Sequence, residues 1–145
     1  MTKLARTLCA ALMIVVLVML AACSEEGGGT VTGEAGDPAD VDEVVEITTS
    51  DQLRFTPDLV EVDAGQTIEF RITNVATGEH EFVLGPAHVH EAGMQHSDPS
   101  STGTIAPGKM ATVYWTFPEA GTVTFACYVA GHNEQGMTGT INVSE

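Results

Sequence analysis

Four side chains in this sequence have types and spacings suited to one shared chemical task. Cys127, His132 and Met137 lie in CYVAGHNEQGM with the spacing C-x4-H-x4-M, and His80 opens HEFVL upstream. A thiol, two imidazoles and a thioether are all metal donors, and the softness of the set narrows the choice of metal. Methionine is a soft, neutral donor that suits Cu(I), whereas structural zinc takes thiolates, imidazoles or carboxylates. Iron–sulfur clusters need more cysteines than the one in this set. Two imidazoles and a thiolate in a plane, with a long and weak thioether, form a copper site suited to electron transfer. Each residue also has a plainer reading: His80 as an ordinary strand histidine, Met137 as packing and Cys127 as a buried inert thiol. The copper reading rests on all four converging.

Cysteine usage sharpens the case. The chain has three cysteines, Cys9, Cys23 and Cys127. The first two belong to an N-terminal segment of different character. Lys3 and Arg6 precede an apolar run from Leu8 to Ala22, shorter than the ~20 residues that span a bilayer. Basic start, short apolar middle and small residues at the end are the marks of a secretory signal, expected over 1–22. LAAC, Leu20 to Cys23, resembles the lipobox of bacterial lipoproteins, which implies a lipidated Cys23 and an extracytoplasmic protein held at the bacterial cell membrane. The folded part then keeps Cys127 alone, with no disulfide partner. An exported lone thiol is open to oxidation, and a metal bond would commit it.

A second group of donors sits apart. HVHEAGMQH places His88, His90, Met94 and His96 within the irregular stretch Gly85 to Gly103. Such tracts bind metal when the backbone lets the donors converge, so a second copper is an expectation for this loop. A solvated polar loop is the alternative. Met110 reads as strand packing, or as one more thioether.

The elements that must position these residues follow from hydrophobic period. SEEGGGTVTGEAGDPADVD is Gly-rich and acidic, and 23–43 reads as a flexible linker with a reach of roughly 25 Å. From residue 44 onward the period is two. Ile68, Phe70 and Ile72 share one face of TIEFRIT; Ala111, Val113, Trp115 and Phe117 share one face of MATVYWTF; Val123, Phe125 and Cys127 share one face of TVTFACYV. Val60 with Val62, and Ile141 with Val143, repeat the pattern. Alternation of this kind, punctuated by DAGQ, APGK and PEAG, predicts half-buried strands in a single all-β domain, an antiparallel sandwich or barrel, over 44–145.

Residues from about Val44 to Val143 resemble the cupredoxins, the plastocyanin/azurin-type blue copper proteins. The resemblance rests on FTPDLVEVDAGQTIEFRITN, on HEF and on CYVAGHNEQGMTGTI. The spacing C-x4-H-x4-M is close to that of auracyanin-like members. The resemblance implies a Greek-key β-sandwich with one copper cycling between Cu(I) and Cu(II). It also implies His80, Cys127 and His132 as strong ligands, Met137 as the axial one, and His132 as the electron port. Many members carry Asn after the first histidine, and this chain has Glu81. The extra His and Met residues resemble periplasmic cupredoxins linked to copper tolerance.

Charge limits the partners. Only Arg54, Arg71 and Lys109 accompany the 20 acids once Lys3 and Arg6 are set aside. Nucleic acid is an improbable partner for such a surface, because phosphate contacts need Lys and Arg. A redox protein that is cationic at the contact is expected instead, with the membrane met through the lipid anchor alone. Three functions compete: a single-electron carrier, an extracytoplasmic copper-binding protein for copper tolerance, and a metal-free interaction module. No enzyme is expected, since four protein donors leave no open position for a substrate.

Overall fold

A computed structural model describes residues 33–85, 98–129 and 131–145. The expected signal, Cys23 and the cluster His88, His90, Met94 and His96 lie outside the described residues. No helix among the described residues is long and apolar enough to cross a membrane.

The period-two segments form strands. They are β1 (Glu34–Ala35), β2 (Glu43–Ser50), β3 (Arg54–Thr56), β4 (Leu59–Asp63), β5 (Thr67–Asn74), β6 (Val83–Leu84), β7 (Met110–Thr116), β8 (Gly121–Ala126) and β9 (Thr138–Ser144). They make a five-stranded sheet in the order β1-β7-β5-β2-β3 and a four-stranded sheet in the order β4-β9-β8-β6. Inward residues of both sheets fill the space between them, as in a sandwich. All five phenylalanines are buried, at Phe55, Phe70, Phe82, Phe117 and Phe125. Phe125 packs on two of them, with ring centroids 4.9 Å from Phe82 and 5.1 Å from Phe55 in tilted and edge-on contacts. Aromatic pairs favour offset and edge-to-face contacts of this kind. Gly139 on β9 makes room for that ring: a Cβ there would collide with Phe125 and with the Asp58 carbonyl.

Two details differ from the sequence expectation. The sandwich is not purely antiparallel, because β2 pairs parallel with β5 and β4 parallel with β9. The chain changes sheet between β3 and β4 and again between β4 and β5, so β5 returns to the first sheet running the same way as β2. Local alternation reports which face is buried but carries no information about which strand lies alongside.

The second difference concerns 23–43, expected as a flexible linker. Within it, Glu34 and Ala35 pair with Thr116 and Trp115 of β7, and Gly36 N–H donates to the Tyr114 carbonyl at 3.0 Å. Asp42 accepts a 2.8 Å hydrogen bond from Thr67 N–H and donates its own N–H back to the Thr67 carbonyl at 2.9 Å. Ordered contacts therefore begin well before residue 44. Composition did not reveal this because backbone pairing at a sheet edge needs no large side chain.

Candidate metal centre

The site lies where β5 and β8 finish and β7 and β9 begin. Cys127 follows directly on β8, where burial continues inward from Val123 and Phe125. Met137 immediately precedes β9, and Cys127 N–H donates to the Met137 carbonyl at 3.1 Å, continuing the β8–β9 ladder by one rung. Between them the chain closes through turns: His132 N–H to the Val129 carbonyl at 2.9 Å, Gly136 N–H to Asn133 at 2.9 Å and Met137 N–H to His132 at 3.1 Å. Gly131 and Gly136 have φ of 81° and 86°, the left-handed conformation that glycine adopts without penalty.

His80 lies on the connection between β5 of one sheet and β6 of the other. It was expected at the start of a strand, yet the regular strand is only Val83–Leu84. His80 is held instead by an isolated bridge to Ile105: its N–H donates to the Ile105 carbonyl at 3.2 Å, and Ile105 N–H donates back at 2.6 Å.

The three side chains converge. Cys127 Sγ is 3.9 Å from His80 Nδ1 and 3.4 Å from His132 Nδ1. One donor atom from each of the three residues falls in a group whose members all lie within 4.8 Å of one another. The imidazole centroids are 4.9 Å apart with their planes inclined at 46°. His80 and Cys127 are buried, at 1% and 0% exposure, and Met137 is buried at 0%. His132 is half-buried, so this ring alone of the four side chains reaches toward solvent.

Without a metal ion, burial at the cluster favours the neutral forms of Cys127 and His80. Burial pushes the Cys127 thiol above its ordinary value, the Glu81 charge adding to it, while the backbone amides of Glu81 and Val129 oppose the rise. Burial pushes His80 below the usual imidazole range, as does repulsion from His132, while Asp51 works the other way. A buried thiol facing two ring nitrogens fits a soft cation, which would neutralise a thiolate that burial otherwise disfavours.

The position after the first histidine bears on how the two ligand segments are joined. Glu81 stands there, and its backbone N–H donates to Cys127 Sγ at 3.4 Å. The tie to the sulfur is made by main chain, which any residue but proline supplies at this position. Hydrogen bonds to a ligating sulfur tune its electron density.

Two residues of structural consequence were not singled out from sequence. Asn74 ends β5 on its inward face and is fully buried. Arg54 Nη1 donates to the Gln135 carbonyl at 3.0 Å and to the Leu53 carbonyl at 2.7 Å, lying against Gly136 in the ligand loop. A signal for Asn74 existed: it follows Ile68, Phe70 and Ile72 in the same apolar stripe. Arg54 had none beyond being one of few cations. Met110, expected to pack, is 59% exposed at the start of β7.

A two-sheet sandwich with a His/Cys/His cluster at one end defines a cupredoxin-like copper protein. Residues 41–144 match the copper binding proteins of the plastocyanin/azurin family, and the chain belongs to that family. It is similar to the copper-resistant cuproprotein CopI of Rubrivivax gelatinosus, with 38% identity over 79% of this chain and 74% of the relative. CopI of Pseudomonas aeruginosa is 29% identical over 79% of this chain and 83% of its own length. Among solved structures, dithionite-reduced auracyanin from Roseiflexus castenholzii superposes with a TM-score of 0.62 at 25% identity, covering 72% of this chain and 99% of the auracyanin. Auracyanin B shares the fold, with a TM-score of 0.64 over 78% of this chain and 96% of its own. The chain is a copper-binding protein of this class.

Proposed function

We propose that the chain carries single electrons through one type 1 copper held by His80, Cys127 and His132, with Met137 as the axial donor. The observation that carries this reading is the convergence of three donor atoms within 4.8 Å of one another at a buried position. Copper bound there supplies a one-electron Cu(I)/Cu(II) couple. The protein's own part is to hold and to shield. The backbones of Cys127 and Met137 are tied by the β8–β9 ladder and that of His80 by its bridge to Ile105, so the segments that carry these donors are set before any ion arrives. Buried Cys127, His80 and Met137 keep bulk water from the sulfur, and half-buried His132 offers the path by which an electron enters or leaves.

A second reading is favoured by the relatives, which are named as copper-resistant cuproproteins. In that reading the same centre serves copper tolerance, and His88, His90, Met94 and His96 add a second copper site. We place either activity outside the cytoplasm, with the protein anchored through a lipidated Cys23 and meeting a redox partner that is cationic at the contact. The support for this is the N-terminal sequence and the 20 acidic residues. The deciding experiment is metal content with electron spin resonance on the chain and on a His88→Ala/His90→Ala/His96→Ala variant. One copper with a narrow type 1 hyperfine pattern in both supports the carrier. Loss of a second equivalent in the variant supports copper handling. A chain that takes up no Cu(II) and stays colourless refutes both.

A further inference from the structure

We propose that Asn74 is the positioning residue for His80, setting where the imidazole stands relative to Cys127 through a buried amide network; the consequence for copper rests on the reading above. The side chain is 0% exposed, and every hydrogen-bonding position of its amide is filled. Oδ1 accepts from Thr49 Oγ1 at 2.9 Å and from Ala76 N–H at 3.0 Å. Nδ2 donates to the Gly78 carbonyl at 2.8 Å and to the Ile105 carbonyl at 2.8 Å.

The partners of Nδ2 are what link the amide to the site. Ile105 O also accepts from His80 N–H at 3.2 Å, so one carbonyl joins Asn74 and His80 directly. Gly78 is two residues before His80 in the same turn. The amide therefore grips the His80 segment on two sides, once through its own approach and once through its bridge partner. The backbone of Asn74 adds two more ties, donating to Lys109 at 2.9 Å and accepting from Gly108 N–H at 2.8 Å. These draw in the end of the Ile105–Met110 segment.

An apolar residue would continue the stripe of Ile68, Phe70 and Ile72 and fill this place more simply. A buried amide costs desolvation and returns little net stability even when fully bonded. What it adds is direction: four bonds with fixed angles admit one arrangement of the 75–80 turn, where apolar contact admits several. Thr49 bonds only to the Oδ1 side, away from Gly78 and Ile105, and so separates positioning from general stability.

The test is made on the full chain. In the metal-free protein, Asn74→Leu should speed exchange of the His80 and Ile105 amides by about tenfold relative to amides of β8 and β9, while Thr49→Val should lower overall stability without that local change. In the Cu(II)-loaded protein, Asn74→Leu should alter the copper hyperfine splitting and Thr49→Val should leave it as in the parent. Should Asn74→Leu not fold, Asn74→Asp takes its place, keeping the shape and the Oδ1 acceptor while removing at least one of the two donors. The parent chain gives an independent reading: the Asn74 Nδ2 protons and the His80 amide should share one opening, and so exchange with similar protection. The proposal is overturned by His80 and Ile105 protection that follows β8 and β9 in the Asn74 variants, by an equal local loss in Thr49→Val, or by Nδ2 protons exchanging over about tenfold faster than the His80 amide. A chain that binds no copper defeats the functional reading alone, because the exchange measurements need no metal.

Discussion

The two histidines of the cluster are held in opposite ways. His80 is 1% exposed and pinned by long-range bonds: its bridge to Ile105, and the Asn74 amide that reaches from β5. His132 is half-buried and sits in a local loop, where the backbone bonds run between near neighbours from Val129 to Met137. One distant contact, from Arg54 to Gln135, braces that loop. Long-range buried bonds open only with the fold itself, whereas local exposed turns open at lower cost. The cluster therefore has a fixed wall and a yielding one, and the yielding one carries the solvent-facing ring.

The largest expected effect removes the atom both walls share. Cys127→Ser should abolish the intense visible absorption of the Cu(II) form, read by optical spectroscopy. A coloured Cys127→Ser protein would refute the ligand assignment and leave the comparison without a centre.

The next effect tests the walls directly. His132→Gly should leave a gap open to solvent that added imidazole refills, restoring the copper spectrum at millimolar-order concentrations or below. His80→Gly should leave a closed cavity and stay unrestored. Equal rescue at both sites would break the comparison, since burial would then not separate them.

The pH dependence of the metal-free chain comes third. His80 is held below its ordinary value of 6.5, so the unfolded chain binds the proton more readily. The stability contributed by its neutral form is present above that value and is lost as pH falls below it. Cys127 is held above its ordinary value of 9.0, so the unfolded chain loses its proton first. Its contribution is present below that value and is lost as pH rises past it. Thermal melts should show an advantage of His80→Gln over the parent growing on the acid side, and of Cys127→Ser growing on the alkaline side. Melting differences that do not change with pH would show that burial does not govern these groups.

The smallest effect probes the brace. Arg54→Met should cost no more than about 1.5 kcal/mol, as expected for exposed hydrogen bonds. Amide exchange should quicken at Gly136 and Met137 and stay unchanged at His80. A change at His80 of the same size would mean that the two walls move as one.

Much of this architecture was legible in the residues. The alternation of Ile68, Phe70 and Ile72, of Val113, Trp115 and Phe117, and of Val123, Phe125 and Cys127 marked the buried faces, because strand period and burial are the same fact seen locally. The donors His80, Cys127 and His132 were legible by type and spacing, and they do meet. The β1 pairing was not legible in a Gly-rich acidic stretch, nor were the parallel pairs β2–β5 and β4–β9, because register and neighbour choice are made between strands.

By itself, then, the sequence determined the inward faces, the donor types and the order in which the chain presents them. These follow from side-chain chemistry and a two-residue period. The tertiary structure alone decided that His80 would be buried and His132 half-open, and that Asn74 and Arg54 would brace the ligand-bearing segments. Those outcomes depend on bonds between residues far apart in the chain, such as Asn74 with Ile105 and Arg54 with Gln135, which exist only once the sheets have packed.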